Sequence, residues 1–85
     1  MKVLFFASLR EATGTSELCV GSVSGGLDEL FGTLSEQLSG EAIEALRGPN
    51  IRIAVDQVLV DDHDSLATLL ADASELAFLP PVTGG

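Results

Sequence analysis

Continuous apolar runs open the chain, a helical spacing occupies its middle, and short apolar runs return before the end. Residues 2–9, KVLFFASL, are β-branched, aromatic or aliphatic and predict a first strand. REATG follows as a turn in which Gly14 is free to take a positive φ. Residues 16–23 predict a second strand at hairpin distance, broken by SGG. From Leu27 the period becomes helical: Leu27, Leu30, Phe31, Leu34 and Leu38 fall at i, i+3, i+4, i+7 and i+11. Asp28 and Glu29 complement the dipole in its first turn, and Gly40 is a natural stop. EAIEALRG predicts one or two further helical turns before Gly48-Pro49. IRIAV and VLV then predict two short strands about Asp56-Gln57, a weak hairpin signal because it lacks glycine. DDHDS reads as a polar turn, LATLLADA as a short helix or 3₁₀ turn, and ELAFL as the last strand.

The order strand, strand, helix, strand, strand, strand predicts an α+β protein of the β-grasp (ubiquitin-like) kind. A mixed sheet of about five strands is expected, with one main helix across one face. First and last strands pairing in parallel at its centre would explain why both are almost continuously apolar. Residues 1–79 form the expected domain, and 80–85 an extended tail.

One helix leaves one sheet face uncovered, and strand parity identifies its residues. Val3, Phe5 and Ala7 share a side opposite Lys2, Leu4, Phe6 and Ser8. Leu76 and Phe78 oppose Glu75, Ala77 and Leu79, while Val58 and Val60 oppose Leu59. Phe6, Leu59 and Leu79 are therefore expected to form an uncovered apolar patch, which points to a partner. The alternative is that residues 66–73 or 41–48 fold back over them.

Charge narrows the partners. Thirteen acids against four bases give a formal net charge of −9. Such a surface does not track a phosphate backbone, so nucleic-acid binding is excluded. Any phosphorylated substrate must be held by a basic partner, and docking to a positive surface is favoured. The single Cys19 excludes an internal disulfide and suits a reducing compartment. Without a nearby histidine or base it reads as a small hydrophobe in or near the core rather than a catalytic thiol. No apolar run is long enough to span a membrane, and the N-terminal run meets Arg10 and Glu11 too soon for a signal sequence, so a cytoplasmic protein is expected.

Side-chain chemistry is sparse. His63 sits among Asp61, Asp62 and Asp64, but adjacent turn residues rarely converge on one ion, and a solvated acidic turn is the expectation. No strand-Ser-helix elbow or second histidine supports nucleophilic catalysis, and GSVSGG lacks the spacing and base of a phosphate loop. The terminus is different. Pro80 and Pro81 stop the last strand, since neither can donate to a ladder. Beyond them Val82, Thr83, Gly84 and Gly85 complete an arm that reaches roughly 20 Å when extended. Two terminal glycines can thread a narrow channel and leave a carboxyl open to attack once it is activated as a mixed anhydride with AMP.

KVLFFASLRE, IAVDQVLV and ELAFLPPVTGG together resemble the small subunits of molybdopterin synthase, the MoaD family of ubiquitin-like sulfur carriers. The resemblance covers essentially the whole chain, and PPVTGG is its most specific part. It implies that Gly85 is adenylated by an ATP-dependent activating enzyme and converted to a thiocarboxylate by a sulfur donor. The sulfur would then pass to cyclic pyranopterin monophosphate, forming the dithiolene of the molybdenum cofactor. It further implies a heterotetramer of two small and two large subunits, with Pro80, Pro81, Val82, Thr83 and Gly84 inserted into the large subunit. Phe6, Leu59 and Leu79 match the family's hydrophobic contact surface. No cofactor or metal is expected on this subunit itself, whose catalytic side chains belong to its partner. Rival readings are a carrier for thiamine or tRNA thiolation, a protein modifier joined through Gly85, or a plain binding module. Three departures stand out: Asp56 where the family commonly has asparagine, ADASEL in place of an Asp-Gly-Asp type turn, and Leu79 where an aromatic is often found.

Overall fold

The computed structural model describes residues 1–21, 23, 26–48, 51–60, 70 and 73–80. Its elements are β1 (Lys2–Phe5), α1 (Ser8–Thr13), β2 (Glu17–Cys19), α2 (Leu27–Leu34), α3 (Gly40–Leu46), β3 (Arg52–Val55), β4 (Val58–Val60) and β5 (Glu75–Leu79). The strands form one sheet in the order β2-β1-β5-β3-β4. β1 runs parallel to β5, and the other neighbours are antiparallel. This is the expected β-grasp arrangement, with first and last strands side by side at the centre.

The core lies between the sheet and the helices. Phe78 of β5 is fully buried, stacks on Phe5 with centroids 5.9 Å apart, and meets Phe31 of α2 at 6.0 Å. Aromatic pairs at these distances add roughly 0.5–1.5 kcal/mol beyond their area. Leu30 and Leu34 of α2 and Leu46 of α3 close the same cluster. Among the described residues no polar or charged one is buried.

Several boundaries differ from expectation. β1 stops at Phe5, and residues 8–13 form α1 instead of continuing the strand. SLREAT is rich in good helix formers, Leu9 is buried, and Gly14 ends the helix in the left-handed region (φ 78), its N–H donating to Arg10 O at 2.9 Å. β1 and β2 still pair antiparallel, but through a helical connection. β2 is only Glu17–Cys19, and as the outer strand it leaves Cys19 exposed rather than near the core.

The central helix is also shorter than its periodicity. α2 ends at Leu34, where Ser35 Oγ donates back to Gly32 O at 2.7 Å. Ser39 then takes extended backbone (φ −69, ψ 162) and its side chain accepts from Ala42 N at 3.1 Å, capping α3. One helix cannot run through a residue that caps the next, so the single main helix becomes α2 with α1 and α3 beside it.

β3 and β4 form a two-residue hairpin at Asp56-Gln57, both with positive φ (48 and 71). That is the pattern of a type I′ turn, achieved without glycine.

Candidate functional site

Register now fixes the open face. Val3, Leu76 and Val55 share one level of the sheet, as do Phe5, Phe78 and Ile53, all on the helix side. Between them Leu4, Ala77, Ala54 and Leu59 line up across four strands on the opposite side. Leu79 pairs with Arg52 one level further on, and Phe6 follows β1 at the height of Leu79, its N–H donating to Phe78 O at 3.2 Å.

Phe6, Leu59 and Leu79 thus lie on one face. Phe6 is 43% and Leu59 51% exposed, and Leu79 is half-buried. Ala54 and Ala77 are only 8% and 6% exposed, being small and flanked by strands on both sides, so the stripe dips at its centre. Ala54 escaped the sequence reading, although the alternation of Arg52 and Ala54 against Ile53 and Val55 carried the signal. The alternative cover by residues 41–48 fails: α3 directs Ala42 and Leu46 inward. Of 66–73, Leu70 sits in the core and Ala73 packs against it; the others lie outside the described residues.

Charge divides between the two layers. Lys2 and Arg52 project on the open face at opposite ends of the apolar stripe, with Lys2 Nζ 3.8 Å from Glu17 Oε2. Asp28, Glu29, Glu36, Glu41 and Glu44 are exposed on and between α2 and α3. There Arg47 lies 3.7 Å from Asp28 and 4.9 Å over the Phe31 ring.

β5 delivers the chain to this face. It is held by β1 on one side and β3 on the other, and leads through Leu79 into half-buried Pro80. Pro81, Val82, Thr83, Gly84 and Gly85 lie outside the described residues, as does the DDHDS segment with His63.

A family model described as ThiS family matches residues 3–85. The chain belongs to the ThiS family. Within it, the chain is 40% identical over 86 residues to the molybdopterin synthase sulfur carrier subunit of Escherichia coli (strain K12), covering 100% of this chain and 99% of that protein. The crystal structure of SAMP1 from Haloferax volcanii matches with a TM-score of 0.58 at 19% identity, over 99% of this chain and 97% of that one. That likeness establishes the shared ubiquitin-like fold for this ThiS family member.

Proposed function

We propose that the protein is the sulfur carrier subunit of a molybdopterin synthase. The observation that carries this reading is end-to-end similarity to the Escherichia coli carrier subunit, 40% identity with no part of the chain left over. An apolar sheet face at the root of a PPVTGG tail agrees with it.

In this reading Gly85 is the reactive residue. Its carboxylate attacks the α-phosphate of ATP on an activating enzyme, giving the acyl-adenylate and releasing pyrophosphate. A sulfur nucleophile at the oxidation level of sulfide displaces AMP, leaving a thiocarboxylate. Phe6, Leu59 and Leu79 dock on the large subunit while Pro80, Pro81, Val82, Thr83 and Gly84 carry the terminus into its cavity. Two such carriers serve two large subunits. The anionic pyranopterin sits on the large subunit, because a chain of net charge −9 is unsuited to hold it. This subunit itself binds no cofactor, and it works in the cytoplasm, where its single cysteine stays reduced.

The test is intact mass after incubation with ATP, an activating enzyme and a sulfur source. Replacement of one terminal oxygen by sulfur is expected. An unchanged mass under conditions that load an authentic carrier would overturn the reading. Adding the large subunit and precursor then separates molybdopterin synthesis from thiamine or tRNA thiolation, which use the same tail chemistry.

A further inference from the structure

Ala7 has a backbone conformation that its side chain does not suit. Its φ of 51 and ψ of −126 lie in a region that only glycine visits freely. The C=O of Phe6 accepts from Leu9 N at 3.0 Å, closing a tight turn in which Ala7 takes the first central position. This is the type II′ position, which calls for glycine. Ala7 is also the N-cap of α1, and it offers no side-chain hydrogen bond there. Glycine exceeds alanine at N-caps as well. Two independent demands of the fold therefore disfavour the methyl group. The chain meets comparable demands with glycine elsewhere: Gly14 and Gly26 take φ 78 and 83.

The turn is held in place from both sides. Phe6 is tied to β5 through Phe78 O, and Leu9 is 4% exposed in the core. Ala7 itself is exposed and not covered with Val3 and Phe5 as strand alternation predicts, because β1 ends at Phe5 and the positive φ breaks the alternation, so its methyl gains little from burial within the protein. It directly follows Phe6 at the edge of the apolar face.

We infer that the Ala7 methyl is a contact residue of the docking face, extending the Phe6 patch onto the large subunit at the expense of the carrier's own stability. This rests on the sulfur-carrier reading above. The bend itself is offset by the Phe6–Leu9 hydrogen bond and the burial of Leu9, which glycine would allow equally; a methyl kept on that backbone is expected where it serves something outside the fold. The occupant is the same apolar partner surface that covers Phe6 and Leu59, since Ala7 adjoins that patch in the chain.

The inference predicts opposite signs for one substitution. In the full-length protein, Ala7→Gly should raise the thermal midpoint of the free carrier by roughly 3–8 °C, as strain is relieved and the cap improves. The same change should weaken binding to the molybdopterin synthase large subunit by roughly threefold to tenfold, the effect of losing one buried methyl. Calorimetric titration of both proteins, alongside thermal unfolding, reads both quantities. A midpoint that does not rise overturns the argument from strain. A raised midpoint with unchanged affinity overturns the contact. A wild-type protein that does not bind the large subunit at all is a different result: it removes the sulfur-carrier reading and this inference with it.

Discussion

Asp56 Oδ1 accepts from the backbone N–H of both Ser74 and Glu75, at 3.0 and 2.9 Å, and Asp56 N donates to Glu75 O at 2.9 Å. A residue of the β3–β4 turn therefore fixes the start of β5, the strand that leads to the tail. The departure from asparagine at this position is chemically mild, because either side chain presents an Oδ1 and tolerates left-handed backbone. Asp56→Asn should change stability by less than about 1 kcal/mol. Asp56→Ala loses both hydrogen bonds that Oδ1 accepts and places alanine at positive φ, and should cost about 2–3 kcal/mol in urea unfolding. Equal effects of the two substitutions would show that the clamp contributes little.

Gln57, the other half of that turn, invites the opposite change. Its φ of 71 suits glycine, and the hairpin it closes has the I′ pattern. Gln57→Gly relieves left-handed strain while adding entropy to the unfolded chain. The net expectation is a gain of about 0.5–1 kcal/mol, measured as a raised urea midpoint at unchanged slope.

The two sheet faces should respond differently to truncation. Phe78 is fully buried between Phe5 and Phe31, so Phe78→Ala should lose about 3–5 kcal/mol and leave much of this small domain unfolded. Phe6 and Leu59 are about half exposed, so Phe6→Ala and Leu59→Ala should each shift stability by about 1 kcal/mol or less. On the sulfur-carrier reading, each should weaken binding to the large subunit by about tenfold or more. Wild-type affinity in both variants would place the docking surface elsewhere.

The contrast between these faces was legible from alternation alone, because β1, β3 and β5 are central strands in which each residue must choose a side. Parity located Phe6, Leu59 and Leu79 on one face, and the register agrees. The helical connection α1 was hidden for a physical reason. SLREAT is only six residues long, carries one buried apolar position, and continues directly from a strand-like run. Gly14 is the available clue, since a helix stop and a turn call for the same left-handed glycine. The helical spacing runs past the end of α2 because Leu38 keeps it and packs against the core from a bend, without being helical. Cys19 is exposed because it pairs with Lys2 on the open face, whereas Leu18 beside it on the same edge strand turns to the core. The bend at Ala7 has no signal in the sequence, since nothing about alanine suggests positive φ.

The terminus gives the most direct test of chemistry. If the Gly85 carboxylate is the group that takes up AMP and then sulfur, one residue added after it buries that carboxyl in a peptide bond. A peptide carbonyl has no ionised oxygen to attack ATP, and the new terminal carboxylate stands one residue beyond the place the Gly85 carboxylate occupies in the activating enzyme, so the extended protein should not become loaded with sulfur. Its stability should match wild type within about 0.5 kcal/mol, because the change lies beyond β5 and the core. It should also retain docking through Phe6, Leu59 and Leu79, and so compete with wild type for the large subunit. Intact mass, urea unfolding and a competition assay read these separately. Full sulfur transfer by the extended protein would mean that a group other than the Gly85 carboxyl carries the sulfur, and mass analysis after proteolysis would separate the new terminal carboxylate from exposed Cys19, the sole thiol.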